Sequence, residues 1–183
     1  NSAPTIDLAD ALHLAGRFQE SQQLYAQMQK LSPSGVIVDT RDSSARPTLR
    51  MAYAYKLAGD DAAAAHEIDI HRQDLEKRRQ VGLLYATDYV AEAMARSVEG
   101  KADGTFEAIR SAIEAGFRDD ALFREPSLQW LAEHPELLAL KAEVGQLLAA
   151  EHAEVLQLIC HDNPIPDIWQ PLNETCAGVA SGS

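Results

Sequence analysis

Apolar positions recur at helical spacing along almost the whole chain. Ile6, Ala9 and Leu12 stand at steps of three, and Gly16 ends that run. Phe18, Ser21, Leu24, Tyr25 and Met28 share the next face, which closes before Pro33. Residues 32–48 are rich in Ser, Thr and Pro and predict a loop, with Val36-Ile37-Val38 as a buried tuck. That knot is not expected as a strand, because no neighbouring segment offers it a partner. Helices follow over 48–57 and 61–79, separated at Gly59. The second carries Glu67/His71, Arg72/Glu76 and Asp74/Arg78 at four-residue spacing, which predicts a solvated outer face. Further helices are expected over 83–98, 105–115 and 121–124, the last stopping before Pro126. From Pro135, a residue that suits a helix first turn, Leu137, Leu140, Val144, Leu147, Val155 and Leu158 predict one long helix to Cys160. The tail CHDNPIPDIWQPLNETC holds three Pro and is expected to be non-helical. The chain thus divides into a helical domain, 1–160, and a tail, 161–183.

The helices pair, and the pairs repeat. Around Gly16, Gly59 and Gly100 the chain turns, and a small residue follows at the same offset: Ser21, Ala64 and Thr105. Small side chains there let two helix backbones approach. The first pair also has an aromatic at the turn, Phe18, and a closing Pro33. The second keeps the small residue and loses both, and the third is degenerate.

This pattern resembles the tetratricopeptide repeat. The resemblance implies an all-α fold: a right-handed superhelical stack of antiparallel helix pairs, ending in the long helix and the tail. A generic helical bundle is the competing reading. Residues 112–140, AIEAGFRDDALFREPSLQWLAEHPELLAL, resemble the ending of bacterial arrays of this kind. Such endings occur in membrane-anchored winged-helix transcriptional regulators, whose repeat region lies in the periplasm.

Composition narrows the partners. At 46% hydrophobic and 6% aromatic, the core must be built of Ala and Leu, which suits helix against helix. A net charge of -12 disfavours direct binding to nucleic acid. No run of about 18 apolar residues is present, so membrane attachment is expected only through a segment outside this chain. The opening NSAPTID lacks Met and fits a fragment of a longer protein.

Cys160 and Cys176 flank the Pro-rich tail. A disulfide between them would pin the tail to the helix end and, in the chain-entropy model, stabilise by about 3 kcal/mol. It would also indicate an oxidising, extracytoplasmic compartment. Two unrelated cytosolic thiols are the alternative. A zinc site from Cys160, His161, Asp162 and Cys176 lacks paired ligand spacing. His66 and His71 diverge around their helix, whereas His13, His134 and His152 read as surface or cap residues. Trp130 is expected in the core, and Trp169 packed back on the last helices.

No nucleophile elbow, phosphate loop or His-Glu-x-x-His occurs, so no enzymatic role and no cofactor is expected. Stacked pairs act by shape, through the concave face lined by first helices. The register puts Asp7, Asp10 and His13 there from the first pair, Arg46, Arg50, Tyr53 and Lys56 from the second, and Thr87, Met94 and Ser97 from the third. The basic centre of that face could hold an acidic peptide or a terminal carboxylate; alternatively, neighbours neutralise it. The family's carboxylate clamp uses an Asn that is missing at these positions, so that role does not carry over. The expected partner is a protein or peptide, with homodimerisation left open. Two roles remain: the extracytoplasmic relay domain of an anchored regulator, or an intracellular adaptor.

Overall fold

Six helices pair into three hairpins, described by a computed structural model that covers residues 3–39, 44–163 and Cys176. The first hairpin is α1 (Ala3–Leu14) and α2 (Phe18–Gln29), and the second is α3 (Arg46–Leu57) and α4 (Asp61–Gln80). The third is α5 (Ala86–Val98) and α6 (Ala102–Glu114). Two 3₁₀ helices, η1 (Asp120–Arg124) and η2 (Pro126–Leu131), then lead into α7 (Pro135–His161). The described residues contain no strand, only an isolated bridge between Asp39 and Ser44. The expected all-helical class holds.

Each hairpin turns by the same backbone device. Gly16 adopts φ +76°, and its N–H donates to the His13 carbonyl while the Arg17 N–H reaches back to Leu12. These are the two bonds that satisfy the last carbonyls of a helix, and the left-handed φ favours glycine. The same pair of bonds recurs at Gly59, to Lys56 and from Asp60 to Tyr55, and at Gly100, to Ser97 and from Lys101 to Arg96. The turn signals read from the sequence therefore mark real and equivalent stops.

The small residues beyond the turns are all buried: Ser21, Ala64 and Thr105. The two hydroxyls bond within their own helices, Ser21 to Phe18 O at 2.9 Å and Thr105 to Lys101 O at 2.9 Å, so burying them strands no donor. First helices lie against one another, α1 on α3 and α3 on α5, while α2 packs on α3 and α4 on α5. One core runs from Leu49 through Val90, Met94, Phe106, Ile109 and Leu128 to Val144. A smaller one gathers Ile6, Ala9, Tyr25, Met28, Ile37 and Met51 between the first two hairpins. Val36 and Ile37 are the buried tuck expected of the loop, and Thr48 Oγ1 accepts from the Ile37 N–H at 2.8 Å.

Several details depart from the sequence pattern. Helix α5 starts at Ala86, not at 83, because the Asp88 carboxylate accepts from the Tyr85 N–H at 2.9 Å and fixes the start there. Helices α3 and α6 begin earlier than expected, at Arg46 and Ala102. The face of α4 expected to be solvated is largely a contact. Glu67 is buried and accepts from Gln29 Nε2 at 2.6 Å, and His71 is 2% exposed. Arg72 passes over Glu76 to bridge Glu92 and Glu99 on the α5 side, at 3.3 and 2.7 Å. Only Asp74–Arg78 forms as expected, at 2.8 Å. The reason is geometric: this face of α4 meets Gln29 of the preceding hairpin and Glu92 and Glu99 of the next, so Glu67 and Arg72 find partners across the seams instead of along the helix.

The long helix α7 ends at His161, and the expected tail lies outside the described residues from 164 onward except for Cys176. At Cys176 the backbone is helical, so the expectation of a tail free of helix fails at that residue. Trp169 also lies outside the described residues. None of the described helices is long and apolar enough to cross a membrane.

Candidate functional site

Helices α1 and α3 bring four of the expected face residues together. Asp10, about two turns into α1, meets Arg50 in the first half of α3, with Arg50 Nη1 at 2.7 Å from Asp10 Oδ1. Tyr25, from the core face of α2, donates its hydroxyl to the same Asp10 oxygen at 2.6 Å. The other side of the guanidinium is held by Glu125, which stands between η1 and η2. Arg50 Nε donates to Glu125 Oε2 at 3.2 Å, and Nη2 pairs with Oε1. Arg50 and Glu125 are 6% and 2% exposed. A bidentate fork with a second carboxylate behind it is the arrangement in which a buried guanidinium stays charged. Burial works against that charge, and the two carboxylates outweigh it, so the Arg50 pKa rises above its ordinary value.

His13 sits beside this network in an aromatic pocket. Its ring meets Phe18 edge-on at 5.2 Å and Tyr53 at 5.9 Å, and those two rings meet each other at 5.5 Å. The imidazole is fully buried, and neither nitrogen has a hydrogen-bond partner. Burial, with the Arg50 charge adding to it, lowers its pKa to about 3. The expected surface or cap position for His13 is therefore corrected: it is a neutral core residue. His134 does cap α7, its Nδ1 accepting from Glu136 N–H at 3.2 Å.

The other expected face residues divide. Met94 and Ser97 are buried, Met94 in the main core. Ser97 donates to the Ser127 carbonyl at 2.6 Å and accepts from Trp130 Nε1 at 2.8 Å. That bond holds Trp130 at the surface, 53% exposed, which corrects the expectation of a core tryptophan. Asp7 is exposed, and Thr87 is half-buried. Arg46 is half-buried and donates to Ser44 Oγ at 3.2 Å. Lys56 is exposed and pairs with Asp61 at 2.6 Å. Tyr53 is half-buried.

Two grooves lie where neighbouring hairpins meet. The first, about 350 Å³, is lined by Gly16–Glu20 together with Ala54, Leu57 and Ala58. The second, about 160 Å³, is lined by Lys56, Asp61, Ala64, Ala65, Ile68, Asp69, Val98 and Glu99. Setting Gly16 on Gly59 and Gly59 on Gly100 carries Phe18 onto Asp61, Leu57 onto Val98 and Ala58 onto Glu99. The two grooves are thus one feature repeated, apolar and uncharged at the α3 wall of the first and edged by acids in the second.

No family model, curated protein or solved structure matches this chain.

Chemically, the face offers a neutralised basic centre with wet edges. Arg50 is occupied from both sides, so an incoming carboxylate could reach it only by displacing Glu125 or Asp10. Arg46, Tyr53 and Lys56 remain reachable. Glu125 was not among the residues the sequence pointed to. It lies 75 positions from Arg50, and neither periodicity nor spacing links two residues that far apart. Among the described residues no group of His, Cys, Asp or Glu is arranged to hold a metal ion. The sulfurs of Cys160 and Cys176 are joined in a disulfide, which removes the thiolates a zinc site would use.

Proposed function

We propose that this chain is a non-enzymatic protein-interaction and signal-relay domain of tetratricopeptide type, belonging to the extracytoplasmic part of a bacterial membrane-anchored regulator. The observation that carries the interaction reading is the register repeat. The same turn, the same buried small residue and the same inter-hairpin groove recur at Gly16, Gly59 and, for the turn and small residue, Gly100. Repetition of one packing unit with open grooves between units provides an extended surface for a protein or peptide. The compartment rests on the disulfide, which an oxidising environment maintains.

An intracellular adaptor is the second reading, and one observation favours it. The last buried residue of α7 is Val144, well before Cys160, so the core does not need the disulfide to close. Thiol trapping in the source cells separates the two. Cells are quenched in acid and labelled with a maleimide before and after reduction. Label appearing only after reduction supports the anchored regulator, and label taken up directly replaces it with the adaptor. The interaction reading has its own check: selection from a peptide library, repeated against Tyr53→Ala and Lys56→Glu. It stands if the selected peptides lose affinity in either variant and fails if neither matters.

A further inference from the structure

We propose that the two register-equivalent grooves together dock one polyproline II segment of a partner protein, through apolar side chains three positions apart and a Lys or Arg beside the second. This docking presupposes the protein-interaction role proposed above and adds to it the chemistry of the partner. The α3–α4 turn stands between the grooves, giving Leu57 and Ala58 to the first and Lys56 and Asp61 to the second. Phe18 of α2 closes the far side of the first, and Val98 of α5 the far side of the second. Leu57 is 51% exposed on the rim of the first, and Ala64, Ile68 and Val98 make an apolar floor in the second. At about 160 Å³ the second groove lies below the range of about 300–1,000 Å³ for sites that enclose a small molecule. Its size suits a single side chain.

The repeat sets the spacing of those side chains. Packed helices lie about 8–10 Å apart, so equivalent points on successive hairpins are separated by about that distance. A polyproline II segment has three residues per turn and rises about 3.1 Å per residue, which puts side chains i and i+3 on one face about 9 Å apart. An extended strand puts side chains i and i+2 on one face only about 7 Å apart, and i and i+4 about 13 Å apart. An α-helix matches only at i and i+7, about 10.5 Å, and then sets the side chain at i+4 against the Gly59 turn between the grooves. The polyproline II spacing fits without that obstruction.

Charge distinguishes the two ends. At the first groove Arg17 and Glu20 pair with each other at 2.6 Å. At the second, Lys56 pairs with Asp61 at 2.6 Å, and Glu99 is held by Arg72 at 2.7 Å and by Lys101 at 3.0 Å. Asp69, on the same groove, is exposed and has no partner among the described residues. Among those residues, the one charge left uncompensated in either groove is therefore a carboxylate, on a chain of net charge -12. A segment that carries a base beside its second apolar residue meets that carboxylate, and one that carries an acid there is repelled.

The test is titration of the 183-residue chain with the end-capped peptides Leu-Pro-Pro-Leu-Lys and Lys-Leu-Pro-Pro-Leu, one for each chain direction, followed by amide NMR shifts. The expected result is saturable binding with a Kd of about 1 mM or tighter in at least one direction, with shifts at Gly16, Leu57, Ala65 and Val98. Removing one Pro brings the two Leu to i and i+2 and should weaken binding about tenfold or more. Leu57→Asp and Ala65→Trp, at exposed positions in the first and second groove, should each weaken it and leave the helical circular-dichroism signal unchanged. Replacing the peptide Lys by Glu should weaken binding about threefold or more, and Asp69→Lys should reverse that preference. No saturable binding, shifts away from both grooves, equal affinity for both spacings, or a Lys preference that survives Asp69→Lys each overturns the proposal. A helical peptide with Leu at i and i+7 that displaces both probes from these grooves overturns it in favour of a helical partner. Where library-selected peptides bind the chain and the probes do not, the interaction role stands and this docking falls; where neither binds, both fall.

Discussion

Two imidazoles in this molecule are held neutral by their surroundings. His13 is enclosed by Phe18 and Tyr53 with Arg50 nearby, and burial followed by that charge lowers its pKa to about 3. His71 lies under the α4–α5 seam among Glu92, Arg72, Asp74 and Arg78. Its burial outweighs the attraction of Glu92, 3.8 Å away, and lowers its pKa to about 4. In the unfolded chain both return to an ordinary value near 6.5. Above that pH both groups are neutral in either state and the full stability is present. As pH falls below about 6.5 the unfolded chain takes up protons that the folded one refuses, so stability drops until the folded pKa values are reached. Each histidine should remove roughly 1.4 kcal/mol per pH unit in that range. Urea unfolding between pH 7 and 5, above the range where most carboxylates titrate, measures the slope. His13→Leu should roughly halve it, and an unchanged slope would mean that His13 is solvated. The sequence could not show this, because His13 shares its register position with the exposed Lys56 as well as with the buried Ser97, and the rings of Phe18 and Tyr53 that enclose it come from two other helices.

Between elements, the Asp10–Arg50–Glu125 network joins α1, α3 and the 3₁₀ segment, three parts of the chain that the local pattern leaves unrelated. A buried pair adds little over a well-packed apolar pair, but removing one partner strands the other in a low-dielectric site. Arg50→Met therefore leaves two nearly buried carboxylates without a counter-ion and should cost about 3–5 kcal/mol at neutral pH. Combining it with Asp10→Asn and Glu125→Gln should recover most of the loss, which chemical denaturation of the four variants in parallel would reveal. If Arg50→Met costs under 1 kcal/mol, water reaches the network. Here the limits of sequence reading are plain. Helices, turns and the small crossing residues were legible because each is set by contacts three to five positions apart. The Arg50–Glu125 pair, the outward Trp130 on its Ser97 bond and the cross-seam Arg72 bridges depend on folding distant segments together. The α4 charges were misread for that reason: spacing along a helix cannot tell whether a partner waits on the next turn or on the next hairpin.

Across the whole molecule, burial falls off toward one end. The core reaches Leu137, Leu140 and Val144 of α7, while Leu147 and Leu148 are half-covered and residues 149–155 are exposed. Among the described residues, two ties hold α7 beyond Leu148, the Arg118–Glu151 ion pair at 2.9 Å and the Cys160–Cys176 disulfide. The first is exposed on its Glu151 side and belongs to the class of ion pairs worth little. The disulfide thus closes a loop onto the end of the last helix, beyond its exposed stretch, where Leu156, Ile159 and Cys160 are half-buried. In the chain-entropy model a loop of this size is worth about 3 kcal/mol, but only if the folded state holds both ends against the core. Where one end is a helix that can fray, reduction releases the loop locally and leaves the global transition nearly where it was. Hydrogen exchange read by mass spectrometry, with and without reductant, separates these outcomes. Amides of 152–161 should exchange faster after reduction, and those of α3 to α6 should keep their protection. A loss of protection in α5 and α6 on reduction would instead mean that the segment beyond Cys160 bears on the core. The oxidising compartment would then be a requirement of the fold, and the adaptor reading would lose the observation that favours it.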